Sequence, residues 1–117
     1  MPSRSARNKN PGNLAYGQFS QAQGATGQDG HLAIFKTSAQ GFRAMMTLLS
    51  GSIYGTLSLK DAIARYAPSS DNNQPEVYAN FVSEQTDVAL ETHLNQLSCP
   101  QLAGVAWAMV MFEGWQP

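Results

Sequence analysis

Only eight side chains in this 117-residue sequence carry a carboxylate, and one of them is placed for acid chemistry. Helical steps of four, three and four residues put Leu102, Ala106, Met109 and Glu113 on one line. A carboxyl group at the end of an apolar helix is partly desolvated, which disfavours its charged form and raises its pKa. Glu113 is therefore the candidate general acid, although a frayed, exposed position is the structural alternative.

Structural roles are predicted for most of the other carboxylates. Asp61 completes a capping box that begins at Ser58, and Glu76 complements a helix dipole in the first turn after Pro75. Polar helix ends or turns hold Glu84, Asp87 and Glu91. No metal or cofactor is expected, because the single Cys99 and the two histidines, His31 and His93, lack metal-ligand spacing.

Four helices and one short helical piece must position these side chains. Thr37 or Ser38 can cap a helix that runs to about Ser50, and a second helix runs from Ser58 to near Tyr66, before Pro68. A third begins at Pro75 with Val77, Tyr78, Phe81 and Val82 predicted to face inward. A short helical piece is expected around 90–97. The last helix, Gln101 to about Glu113, is apolar on nearly every side and is predicted to lie in the middle of the domain.

The first 30 residues are rich in Gly, Gln, Ser and Asn and are predicted to form a looped segment packed on the domain. Asp29-Gly30 is a turn signal, and a short strand or hairpin is expected over His31 to Phe35. The predicted fold is one mainly α domain, residues 1–117, in which helices surround a central apolar helix beside a small β-hairpin.

Charge and hydropathy exclude several classes of function. A formal net charge of -1 does not favour nucleic-acid binding, and the three cations in the first ten residues do not form a basic face. No stretch approaches the roughly 18 apolar residues of a membrane span, and no secretory signal is evident. We therefore expect synthesis in the cytoplasm without a signal peptide.

Four motifs occur in a fixed order along the sequence. They are Arg7-Asn8-Lys9-Asn10-Pro11-Gly12-Asn13-Leu14, Ala33-Ile34-Phe35, Gly41-Phe42-Arg43-Ala44, and Arg65-Tyr66-Ala67-Pro68-Ser69-Ser70-Asp71-Asn72 with Tyr78. Together they resemble segments of small phage- and bacteria-encoded proteins of the lysozyme-like superfamily, and they are similar to pieces of the cell-wall glucosaminidases of glycoside hydrolase family 73.

The resemblance departs from the family in one respect. In family 73 a glutamate-bearing helix precedes the segment matched by Asn13, whereas here no glutamate does so. Residues Trp107 to Trp115 resemble that helix at the other end of the sequence. This order implies a circularly permuted lysozyme-like fold, in which the last helix supplies the acid to a site built by the N-terminal segment.

The resemblance implies a role for each matched residue. Glu113 would protonate the glycosidic oxygen, Tyr66 would stabilise developing positive charge or orient an acetamido group, and Asp71 would be the second carboxylate of a hydrolase. Contacts to sugar are implied for Asn10, Asn13, Tyr16 and Tyr78. The structural alternatives are a turn for the asparagines, core positions for Tyr66 and Tyr78, and a loop cap for Asp71.

The predicted function is cleavage of peptidoglycan glycan strands by a muramidase, glucosaminidase or lytic transglycosylase. Such an enzyme would act in the periplasm or at the cell wall after phage lysis, virion injection or specialised secretion such as type VI. A neutralising immunity or inhibitor protein would be its partner. The alternatives are an inactive virion structural or glycan-binding module, and an immunity or adaptor protein that uses residues 17–28 as a contact surface.

Overall fold

Residues 2–67 and 73–117 are described by a computed structural model, which is mainly helical with a small two-stranded antiparallel sheet. The predicted class, mainly α with a small β-hairpin, is confirmed at this level. The chain divides into two compact units. The first unit comprises Met1–Thr47 with Glu113–Pro117, and the second comprises Leu48–Phe112.

The β-hairpin of the first unit forms where the turn signal predicts it. Strand β1 (Gly27–Asp29) pairs with β2 (Leu32–Ile34), and the register places Gln28 opposite Ala33. Gly30 in the connection has a φ of +62°, in the left-handed region that glycine enters without steric cost. The turn therefore depends on the residue type that the sequence supplies there.

The segment predicted as a loop over residues 1–30 contains two short helices, α1 (Arg4–Arg7) and α2 (Gln18–Ala22). Ser3 caps α1 because its Oγ accepts a hydrogen bond from the Ala6 amide at 3.3 Å. Helices of four or five residues are shorter than two turns, so they leave no periodic apolar pattern to detect. The loop prediction was therefore wrong for these two stretches.

Helix α3 (Ser38–Ser50) follows β2 with the predicted bounds. Its N-terminus is capped by Thr37, whose Oγ1 accepts from the Gln40 amide at 3.1 Å. Met45 and Leu49 are buried one turn apart, as the helical spacing of apolar residues predicts.

The second unit is built from helices α4 (Ser52–Gly55), α5 (Leu59–Tyr66), α6 (Pro75–Thr86) and α7 (Cys99–Phe112), with a 3-10 helix at Leu94–Gln96. The Ser58 hydroxyl caps α5 by accepting from the Asp61 amide at 3.1 Å. Pro75 begins α6, where its missing N–H has no helical partner to lose. The first residues of α5 and α6 therefore agree with the sequence prediction.

Two predictions about the buried faces of these helices were wrong. On α6, Tyr78, Ala79 and Val82 are buried, but Val77 is 53% exposed because it lies about 200° around the helix from Ala79, away from the buried face. Helix α7 is not enclosed on every side, since Trp107 and Met111 are each 54% exposed. Within the described residues, no helix is both long and apolar enough to cross a membrane.

Candidate active site

A carboxylate and an amide from distant parts of the sequence meet in the first unit. Asn13 Nδ2 donates a hydrogen bond to Glu113 Oε1 at 3.1 Å across a separation of 100 residues. Glu113 is half-buried and directly follows α7, and Gly114 after it has a φ of +84° that turns the chain away from the helix. The carboxylate is thus neither fully exposed nor enclosed.

Asn10 holds the loop that carries Asn13. Its side chain is fully buried, donates to the carbonyl oxygens of Leu14 and Ala33 at 2.9 Å each, and accepts from the Leu14 amide at 2.9 Å. The Asn13 amide donates to the Asn10 carbonyl at 3.0 Å. These bonds tie the loop to β2, so Asn10 is a structural brace and has no accessible atom for the sugar contact implied by the resemblance.

Asn13 has an uncommon backbone conformation and a side-chain oxygen that makes no hydrogen bond within the described part of the chain. Its φ of +52° lies in the left-handed region, which asparagine tolerates better than most residues. Within the described part of the chain, Asn13 Oδ1 is buried and has no hydrogen-bond partner. Asn13 therefore donates to Glu113 through Nδ2 and has a further acceptor atom in Oδ1.

Further polar contacts connect the N-terminal arm to the hairpin and to the last residues. Arg4 Nε lies 2.8 Å from Asp29 Oδ2, and Asn8 Nδ2 donates to the same oxygen at 3.1 Å. The hydrogen bonds from Arg4 and Asn8 lower the pKa of Asp29. Ser3 donates its backbone N–H to the Gln116 carbonyl at 3.0 Å, and its Oγ accepts from the Gln116 amide at 2.9 Å.

Sequence reasoning did not find the contact between Arg4 and Asp29. The two residues are 25 positions apart and neither belongs to a motif, so the basic N-terminus was the only available signal. Tyr16, a predicted sugar contact, is half-buried in the same unit, and its amide donates to the His31 carbonyl at 2.7 Å.

The two other predicted tyrosines belong to the second unit. Tyr66 is half-buried and meets Tyr54 edge-on, with ring centroids 6.3 Å apart. Tyr78 is 1% exposed, stacks on Phe112 at 4.1 Å between centroids, and donates its hydroxyl to the Met109 carbonyl at 3.4 Å. Tyr78 is therefore a core residue that cannot stack on a sugar in this structure. Asp71 lies outside the described residues.

The fold and this site define a mainly helical protein with a half-buried carboxylate held by an asparagine. Its sequence is 34% identical over 116 residues to Protein P5 of Pseudoalteromonas phage PM2, in an alignment that covers 94% of this chain and 70% of that protein. The chain belongs to the family of phage PM2 protein P5. No protein-family model matches the sequence.

Proposed function

We propose that this protein cleaves the glycan strand of peptidoglycan, with Glu113 as the general acid in a circularly permuted lysozyme-like fold. The hydrogen bond between Asn13 and Glu113 carries the proposal, because it joins the Asn-Pro-Gly-Asn segment to the residue that ends the last helix. Those are the two segments that family 73 enzymes keep adjacent in sequence.

Contacts near both ends of the sequence support the permuted arrangement. The paired hydrogen bonds between Ser3 and Gln116 place the start of the N-terminal arm beside the residues that follow Glu113. A permutation needs the joined segments to lie close together in the fold. This proximity is therefore a requirement of the proposal that the first unit meets.

In the proposed reaction, Glu113 gives its proton to the glycosidic oxygen as the bond from that oxygen to the anomeric carbon breaks. The resemblance assigns stabilisation of the positive charge that develops on the sugar to Tyr66. In a hydrolase, water adds to the anomeric carbon and gives a proton to a second carboxylate, a role that the resemblance assigns to Asp71. In a lytic transglycosylase, a hydroxyl group of the same sugar closes an internal ring and its proton returns to the Glu113 carboxylate, so no second carboxylate is required.

Asn13 positions Glu113 in both of its protonation states under this proposal. Its Nδ2–H stabilises the carboxylate that remains after Glu113 has given up its proton. Rotation of the amide brings Oδ1, which lacks a partner among the described residues, toward the carboxyl group, where it accepts a hydrogen bond from the protonated acid. Asn10 keeps the loop in place through its three hydrogen bonds to the backbone.

The family supports one of the routes to the cell wall. A relative encoded by a phage favours phage lysis or virion injection over a bacterial type VI secretion system. An immunity protein belongs to the secretion alternative and is not required by the phage route.

The test is mass spectrometry of purified peptidoglycan incubated with the parent protein and with Glu113→Gln. The variant keeps the acceptor oxygen for Asn13 but has no acidic proton to donate, so cleavage should fall at least about a hundredfold, the contribution typical of a general acid. Glu84→Gln, which removes an exposed carboxylate on α6, is the matched control and should cleave like the parent.

Products with reducing ends indicate hydrolysis, and products with anhydro ends indicate the lytic reaction. Equal release by the parent and Glu113→Gln would remove Glu113 from the mechanism. An absence of soluble fragments from the parent would instead favour an inactive virion structural or glycan-binding module.

A further inference from the structure

The second unit has an open groove that the proposed cleavage does not use. It has a volume of about 270 Å³ and lies along α7 beside the C-terminal end of α6. Its walls include Gly104, Trp107, Ala108 and Met111 from α7, together with Gln85 and Gln101. The volume is slightly below the roughly 300–1,000 Å³ of sites for drug-sized ligands, so it suits a single ring.

Four residues of α7 form the floor and walls of the groove because their spacing places them on the same side of the helix. Positions 104, 107, 108 and 111 share one face of a helix. The two small residues, Gly104 and Ala108, leave room between Trp107 and Met111, which are each 54% exposed. A Cβ added at Gly104 would meet no neighbouring atom within 4 Å, so the space beside this glycine is open.

The polar groups at the groove are neutral. Gln101 uses Oε1 to accept from the Ser98 amide at 2.8 Å, so the hydrogen-bond donors on its Nε2 are not needed for that cap. Gln85 is an exposed amide at the end of α6. None of the lining residues is charged, which favours an uncharged ligand with both an apolar face and hydroxyl or amide groups.

We propose that this groove binds an N-acetylated sugar ring of the glycan strand, an inference that rests on the proposed function. The apolar face of the ring stacks on the indole of Trp107, and the amides of Gln85 and Gln101 bond to its hydroxyl or acetamido groups. A neutral lining complements the uncharged sugar and provides no cation for the carboxylates of the peptide stems. The groove thus adds a glycan-holding site that does not include Glu113.

The experiment is an NMR titration of the full chain carrying Glu113→Gln, with an N-acetylglucosamine trimer as the probe. Amide and indole signals of Gly104 and Trp107 should shift with concentration, whereas the indole of Trp115 should not. Gly104→Leu fills the groove and should weaken binding at least tenfold. Gly27→Leu is the matched control, since a Cβ added there also meets nothing within 4 Å.

The titration has outcomes that support sugar binding at the groove and outcomes that overturn it. A glucose trimer should bind more weakly than the N-acetylated trimer if the acetamido groups are recognised. Absence of shifts at the groove in millimolar probe would overturn the inference, and so would shifts that persist in Gly104→Leu. Shifts that depend on protein concentration without probe would assign the face to a second copy. Binding at the groove without cleavage by the parent would retain this site and reject the enzyme.

Discussion

Both units bury apolar side chains, including Phe35 and Met45 in the first, but among the described residues the buried serines and asparagines belong to the first unit. In the first unit, polar side chains join segments far apart in sequence: Asn10 bonds to β2, Arg4 to Asp29, and Asn13 to Glu113. In the second unit, the fully buried side chains are largely apolar. They include Leu59, Ile63, Val82, Leu94, Val105 and Met109.

This difference matters because apolar packing and hydrogen bonds restrict the positions of side chains to different degrees. Apolar packing is non-directional, so it stabilises a helix pair while tolerating small shifts. Hydrogen bonds require defined distances and angles, so they fix the position of a functional group more closely. The candidate acid is held by one such directional contact, the hydrogen bond from Asn13.

The largest loss of stability is expected from Asn10→Ala. The change removes a side chain that is fully buried and leaves the Leu14 amide and the Ala33 carbonyl without its hydrogen bonds. We expect the free energy of unfolding to fall by about 3 kcal/mol, because each unsatisfied buried group costs roughly 1–3 kcal/mol. Urea unfolding measures the change.

The control for Asn10→Ala is Asn95→Ala, which truncates an exposed amide in the second unit and should change stability by less than about 0.5 kcal/mol. Similar losses in the two variants would show that the buried amide of Asn10 does not brace the first unit.

Two glycines in helices should respond in opposite directions to alanine. A Cβ at Gly41 of α3 would collide with the Lys9 carbonyl and with Pro11 Cδ at 2.9 Å, so Gly41→Ala should cost about 2 kcal/mol. At Gly104 of α7 the added methyl meets nothing within 4 Å, so Gly104→Ala should stabilise by about 0.5–1 kcal/mol. Thermal unfolding of the two variants measures these changes. A higher melting temperature for both variants would contradict the close contact between Gly41 and the Lys9 carbonyl.

The smallest effect is expected from the exposed pair of Arg4 and Asp29. Hydrogen bonds from Arg4 and Asn8 lower the pKa of Asp29 in the folded protein below the roughly 3.9 of an unfolded chain. The resulting stabilisation is present above about pH 4 and is lost as the pH falls through the folded value. The melting temperatures of the parent and Asp29→Asn should therefore converge at low pH.

Melting curves from pH 6 down to pH 2 measure this convergence. Asn95→Ala, which changes no ionisable group, is the control and should parallel the parent across the range. A constant difference between the parent and Asp29→Asn across the range would contradict the role assigned to the pair.

Local chemistry made several elements predictable from the sequence alone. The Asp29-Gly30 turn, the Ser58 cap and the proline at the start of α6 each depend on residues within about four positions, and all three are found where expected. The resemblance to cell-wall enzymes also implied roles for Asn13 and Glu113. It did not predict the distance between these side chains, and the catalytic and sugar-binding roles stay predictions.

Other features were decided by the tertiary structure. Periodicity alone did not show that Val77 faces solvent or that Trp107 and Met111 border an open groove, because an apolar residue is compatible with either side of a helix. Nor did spacing show that Asn10 is buried or that Asn13 reaches Glu113. Contacts across 100 residues depend on how whole elements pack, whereas caps and turns depend on the few residues that form them.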